Sequence, residues 1–405
     1  MKKQKLYQWQ ILTCEYPPQI GGVSDYTKLV AEGLAEAGDN VHVWAPGEEQ
    51  SAKGKEPRAK GKEENIEVGR QEAGVTVHRE FGRFRPRDLR RVGKQLAQFP
   101  APRRILVQWV PHGYGYRSMN LPFAFWLWRR AKFKRDRVEL MVHEPFLAFR
   151  EGSRKQDIVA AVHRLMTILI LNAASQIWIS SQEWEGRLQP FLLGRKKRIT
   201  WLPVPSNIPL VDDPAAVAQV RARYATNGTR LVGHFGAYND YMTDLMSNLL
   251  PSLLNGDNDL SMLLLGNGSV ELRERLIESY PQFAEKLFAT GEIPAAEVSK
   301  HISACDVMLQ PYQDGMSGRR TSAMSALSHG LPVITNSGKA TESCWVENDA
   351  VLLLSSDDPK SLAEVTSQLA QTHRESKSLR ISARHLYETK FALSTTVSRL
   401  RNGAS

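Results

Sequence analysis

Strand-like and helix-like segments alternate along nearly the whole chain, and this alternation leaves few architectures open. Short apolar runs separated by amphipathic stretches at helical spacing require parallel sheets with helices packed on their faces. The first half reads as strands at 8–13, 41–44, 75–78, 105–109, 139–143 and 176–180. The second half reads as strands at 230–235, 261–265, 286–289, 306–309, 331–335 and 351–354, with helices at 241–250, 270–279, 295–303 and 321–328. In the first half, Tyr26, Leu29, Val30 and Leu34 fall on one helical face, with Ser24 as the expected cap and Gly38 as the stop. With 405 residues the chain exceeds one ordinary core, so two domains are expected. Residues 202–214, LPVPSNIPLVDDP, are proline-rich and carry neither periodicity, as a connection between domains would. The expected division is 1–205 and 206–390, with a final helix at 391–405 packing back on the first domain. The fold class is α/β: two Rossmann-like, doubly wound parallel-sheet domains facing across a cleft. Ligands bind outside the carboxyl ends of the strands in such sheets.

Composition narrows the class further. Hydrophobic residues make up 42%, and the longest apolar stretch, 158–181, is interrupted by His163 and Arg164, so no transmembrane helix is expected. The N-terminal MKKQKLYQWQILTCEYPP leads into a strand pattern and not into a cleavage site, which points to a cytoplasmic protein. Cys14, Cys305 and Cys344 are far apart and without metal-ligand spacing, so neither a disulfide framework nor a zinc site is expected. Residues 48–64 hold almost no apolar side chain and read as a mobile surface loop. The net charge of +10 is uneven: residues 1–200 carry 35 basic against 21 acidic side chains, and residues 201–405 carry 18 against 22. A basic face meets nucleic acid, anionic lipid or a phosphorylated acceptor, or is simply solvated. No nucleic-acid fold signature accompanies it, so no nucleic-acid partner is expected. The segment LPFAFWLWRRAKFKRD, residues 121–136, reads either as a helix resting on an anionic membrane or as a sheet-packing helix with a wet end.

Residues 311–335, PYQDGMSGRRTSAMSALSHGLPVIT, carry the clearest chemical signal. A strand end runs into a glycine loop with two arginines, then a short small-residue helix, then another strand. Gly315 and Gly318 free the backbone to turn, and Thr321 or Ser322 is positioned to cap the helix. Helix N–H groups attract phosphate, and Arg319 and Arg320 add guanidinium forks suited to its oxygens. A diphosphate fits such a loop, although an ordinary strand-to-helix connection with solvated arginines has the same sequence. A second anion-type loop, Gly21 and Gly22 before a helix, follows the first strand.

The series YPPQIGGVSDYTKLVAEGLAEAGDNVHVWAP, GHFG, LLLGNGS, GEIP, ACDVMLQPY and SALSHGLPVIT resembles the family 4 retaining glycosyltransferases of GT-B fold. The resemblance implies transfer of a sugar from a nucleotide diphosphate donor with retained configuration, without cofactor or metal. It places the donor on the second domain and a carbohydrate or lipid-linked acceptor, from the cell envelope or a polysaccharide, on the first. Peripheral contact with the inner face of an anionic membrane goes with such acceptors. By position, the Gly22 amide approaches the donor, His143 lies near the reacting sugar, and Gly236, the Gly266 turn and Ile293 line the nucleotide site.

The departures carry as much information. The family's two glutamates eight residues apart align onto Ser317 and Ser325, so both carboxylates are replaced. Asp314, three residues before Ser317, is a candidate hydroxyl acceptor. The basic pair expected after GHFG is also missing, since no Lys or Arg occurs from residue 231 to 272. Arg319 and Arg320 are the replacements expected to neutralise the leaving diphosphate, alongside the helix start at Thr321. The rival reading is a GT-B-shaped protein that binds a nucleotide or polyanion without transferring sugar.

Overall fold

The computed structural model describes residues 6–47, 70–225, 228–354 and 375–403, without side chains at 70–72 and 375–376. The expected loop at 48–64 lies outside the described residues. The chain divides into two compact units, Met1–Pro203 with Thr396–Ser405, and Val204–Thr395.

The first unit is built on an eight-stranded sheet of order β3-β4-β2-β1-β5-β6-β7-β8. Its strands are β1 (Gln8–Leu12), β2 (Asn40–Trp44), β3 (Arg70–Glu72), β4 (Val75–His78), β5 (Arg104–Trp109), β6 (Arg137–Val142), β7 (Ala174–Ile179) and β8 (Ile199–Trp201). All neighbours pair in parallel except β3 against β4. The edge strands β3 and β8, three residues each, were not expected from sequence. Strands such as RILVQW are buried along their whole length, as strands covered on both faces must be. The core joins Val107, Val142 and Ile177 to Phe123, Leu127, Met166 and Ile170 from two flanking helices, Leu121–Phe133 and Arg154–Ala173. Each such side chain contributes about 1.5–3 kcal/mol by leaving water.

Helix Arg154–Ala173 meets the length and hydropathy of a membrane span, which the interrupting His163 and Arg164 had argued against. Its inner face, including Ala160, His163, Met166 and Ile170, is buried within the unit. His163 is accommodated because Nδ1 accepts the Leu147 amide at 3.2 Å while Nε2 lies 2.7 Å from the Ser118 carbonyl.

The second unit holds a six-stranded parallel sheet of order β11-β10-β9-β12-β13-β14. These strands are β9 (Arg230–Phe235), β10 (Leu260–Leu265), β11 (Leu287–Ala289), β12 (Val307–Leu309), β13 (Val333–Asn336) and β14 (Val351–Leu354). Helix Asp240–Gly256 runs through Pro251 and does not stop at residue 250, because Leu253 and Leu254 extend its buried stripe. A helix at Pro214–Tyr224 begins where the linker reading ends, capped by Asp213 whose carboxylate accepts from the Ala216 amide.

Strand order fixes where ligands can enter each sheet. The chain winds outward from β9 through β10 to β11, then returns to place β12 beside β9. The connections leaving β9 and β12 therefore diverge at their carboxyl ends and leave a crevice. In the first unit the same reversal lies between β1 and β5.

Candidate functional site

The crevice of the second unit is formed by the loop after β12, residues 310–320, and the turns after β9 and β10. Gln310, Ser317 and Arg320 all belong to the first of these. The Gln310 Nε2, Ser317 Oγ and Arg320 Nε atoms are buried and have no hydrogen-bond partner among the described residues. Proteins rarely leave buried donors unpaired, and the acceptor atoms of a bound ligand are one way to meet these three in a single loop.

Local packing explains how the loop keeps this shape. Tyr312 and Asn336 exchange two bonds, the Tyr312 amide to Asn336 Oδ1 and Asn336 Nδ2 to the Tyr312 carbonyl, each 2.8 Å. The Met316 amide donates to the Asn336 carbonyl and the Ala340 amide to the Asp314 carbonyl. Gly315 has φ +84°, and a Cβ there would lie 2.3 Å from the Gly338 nitrogen, so only glycine lets the two loops meet. Glu342, 3% exposed, accepts from the Gly318 amide at 3.0 Å and from Trp345 Nε1 at 2.7 Å.

The two arginines differ in role. Arg319 pairs with Asp314 at 3.4 Å, and Lys339 pairs with the other oxygen of the same carboxylate at 3.0 Å. Burial pushes the Asp314 carboxyl up, but Lys339, then Arg319 and Arg320, outweigh it and hold it below the usual carboxylate range. Arg320 lies over the Tyr312 ring at 4.6 Å. Burial, then repulsion from Arg319, lowers its pKa from the ordinary guanidinium value. It remains a cation, held on an aromatic face and poorly hydrated.

Helix Thr321–Ser328 starts with Arg320 at its N-cap and no side-chain cap bond from that residue, so the expected capping by Thr321 or Ser322 is absent. The Tyr312 hydroxyl serves instead, lying 2.8 Å from Ser322 Oγ and bonded to the Ala323 backbone. Ser325 faces inward: its hydroxyl lies 3.1 Å from Ser206 Oγ and donates to the Thr321 carbonyl at 2.9 Å.

Gly236 and Gly266 form a tight contact across β9 and β10. Gly266 has φ +115°, and a Cβ would meet the Gly236 carbonyl at 2.2 Å. The Gly266 amide donates to the Gly291 carbonyl, which ties this turn to the loop carrying half-buried Ile293. His234 beneath them is buried and bonded to the Tyr238 hydroxyl at 2.7 Å; burial pulls its pKa down to about 3.

In the first unit, the helix after the double glycine spans Gly22–Glu36 with Gly21 at its N-cap. Ser24 is inside the helix and does not cap it; its hydroxyl is buried and has no hydrogen-bond partner among the described residues. Glu15 does that work, one carboxylate oxygen accepting from the Val23 and Ser24 amides at 3.0 Å each. A Cβ on Gly21 would meet that carboxylate at 2.3 Å, whereas Gly22 has open space around it. His143, after β6, is bonded through Nε2 to Gln108 Oε1 at 2.8 Å and set edge-on to Tyr26. Burial lowers its pKa to about 3, so the imidazole is neutral in the physiological range.

Sequence reasoning missed Glu15, Gln108, Tyr312, Asn336 and Glu342. The glutamate of CEYPP beside a double glycine was a usable signal for the first, since a carboxylate near a helix start suits its dipole. The others act across 24 to 35 residues and leave no local trace. Among the described residues, no group of three His, Cys, Asp or Glu side chains is arranged to hold a metal ion. Cys14, Cys305 and Cys344 are all free.

Comparison with known proteins agrees with this architecture. The family described as Glycosyl transferases group 1 matches residues 229–372, and the Glycosyl transferase 4-like domain matches residues 21–205. Sucrose-phosphate synthase from Thermosynechococcus elongatus superimposes with a TM-score of 0.70 at 15% identity over 98% of both chains. HepE of Anabaena in complex with UDP-glucose gives 0.62 at 13% identity, again over 98% of both. WaaG, a glycosyltransferase involved in lipopolysaccharide biosynthesis, gives 0.61 at 13% identity over 98% of this chain and 99% of its own. Among curated proteins none matches the chain. Both units thus carry the domains of one family, and the chain belongs to the group 1, family 4 glycosyltransferases of GT-B fold.

Proposed function

We propose that this protein moves a sugar from a nucleotide diphosphate donor to a cell-envelope, polysaccharide or lipid-linked acceptor, with retention of configuration and without a metal. The observation that carries this reading is the trio of unpartnered donors, Gln310 Nε2, Ser317 Oγ and Arg320 Nε, in one loop at a sheet crevice. A diphosphate and sugar hydroxyls supply the acceptors these groups lack. HepE, similar in fold, was solved with UDP-glucose, which supports a nucleotide sugar as donor here.

Breaking a sugar–phosphate bond places negative charge on the departing diphosphate. Arg320 is fixed over Tyr312 before any ligand arrives, so it stabilises that charge with little reorganisation. Arg319 is tied to Asp314, which makes it the weaker contributor until a phosphate competes for it. For transfer on one face of the sugar, the leaving phosphate takes the acceptor's proton. His143, neutral through burial, then serves as a hydrogen-bonding group and not as a cationic acid.

The rival reading, a nucleotide-binding GT-B protein without transferase activity, is favoured by one observation. Ser317 and Ser325 stand fully buried where the family has carboxylates, and Ser325 bonds inward. Mass spectrometry of reactions with a panel of nucleotide sugars and envelope acceptors separates the two. A glycosylated product formed equally well with a chelator supports metal-independent transfer. Donor binding with no product across the panel establishes the rival.

A further inference from the structure

Helix Leu121–Phe133 has two faces of different chemistry. Phe123, Ala124, Leu127 and Arg130 are buried. Asp136 closes that inner side, fully buried and held by Arg130 at 2.6 Å and Arg103 at 2.8 Å. The opposite stripe, at spacings of three and four, is Phe125, Trp128, Arg129, Lys132 and Phe133. Phe125 is 49% and Phe133 67% exposed. The rings form a row, Phe125 stacked on Trp128 at 5.6 Å and Trp128 edge-on to Phe133 at 5.9 Å.

Trp128 donates to Asn172 at 2.9 Å and so pins this row to helix Arg154–Ala173, whose Ile158 and Leu165 are also exposed. Arg129, Lys132, Lys134 and Arg135 are exposed, and among the described residues none reaches a carboxylate at ion-pair distance. The positive field extends to the turn at 194–198, where Arg195, Lys196, Lys197 and Arg198 line a cavity of about 410 Å³. Partial burial, then Lys132 and Arg195, pull the Lys197 pKa down to about 8.

We propose that this two-helix face docks the protein onto an anionic lipid bilayer, the aromatic row entering the interface and the flanking cations meeting phosphate headgroups. Sheet packing does not explain the row, because the other face of the helix does that work. Arg129, Lys132, Lys134 and Arg135, exposed around these rings, complement anionic lipid and would repel a second copy of the same face. The inference deepens the lipid-linked acceptor reading and rests on it for the purpose of docking, though not for the docking itself.

The test is co-sedimentation of the full chain with phosphatidylcholine vesicles, with and without phosphatidylglycerol, at low and high salt. Binding that needs phosphatidylglycerol and falls with salt is expected. The paired change Arg129→Glu, Lys132→Glu should weaken it roughly tenfold or more, and Phe125→Ser with Phe133→Ser should weaken it on anionic vesicles at either salt. Both variants should bind nucleoside diphosphate like the wild type, which shows that they fold. Equal binding to neutral vesicles, no vesicle binding, self-association in its place, or charge-reversed protein binding as wild type overturns the proposal. Vesicle binding that persists in a protein taking no nucleotide sugar sinks the transferase reading and leaves the docking face standing.

Discussion

Burial sets the chemistry of the histidines. His143 and His234 are pulled down to about 3 and His78 to about 4, in each case first by desolvation, with His42 adding to the effect on His78. Unfolded, all three take up a proton near 6.5, so between about pH 6.5 and 4 the unfolded chain binds more protons than the folded one. Stability therefore rises with pH across that window and is lost on acidification, by up to about 1.4 kcal/mol per pH unit for each histidine. Chemical denaturation at a series of pH values should show this slope, and replacement of His234 by Gln should flatten it. A profile flat from pH 7 to 5 would contradict the assignment. At this scale the sequence named the arginines but not their difference. Only contacts reveal that Arg319 is spent on Asp314 while Arg320 rests on Tyr312.

The decisive element is the pair of interlocked loops after β12 and β13. Gly315→Ala would place a methyl against the Gly338 backbone in a left-handed conformation, and a loss of about 2–3 kcal/mol is expected. Thermal unfolding should report it, and donor affinity should fall with it; an unchanged melting temperature would mean the clasp is slack. Glu342→Gln keeps the acceptor for Gly318 and Trp345, so it should be milder than Glu342→Ala in both readouts. Strands and long helices were legible because apolar periodicity survives any tertiary context. Cap residues were not, because Glu15 and Tyr312 reach helix ends from other elements and displace the local serines and threonine expected there.

For the molecule as a whole, one tie in the first unit joins residues far apart in the chain, the helix Leu393–Asn402 and the first strands. Arg104 donates to the Leu400 and Arg401 carbonyls, and Arg401 pairs with buried Asp39 at 3.0 Å. Asp39 also accepts from the Tyr7 amide and from Trp9 Nε1. Asp39→Ala should therefore cost about 3–5 kcal/mol by stranding these groups, measurable as a lower denaturation midpoint; a surface-like change below about 0.5 kcal/mol would show the tie to be incidental. Two α/β sheets were readable from alternation alone, whereas the pairing of residues some 360 apart in sequence leaves no pattern to read. The claim on which the functional account turns is that the loop after β12 grips a diphosphate through Arg320. Titration calorimetry of a nucleoside diphosphate into wild type, Arg319→Ala and Arg320→Ala tests it most directly. The account predicts that Arg320→Ala loses more than about tenfold in affinity, about 1.4 kcal/mol, with a smaller loss for Arg319→Ala; equal affinity in all three proteins would contradict it.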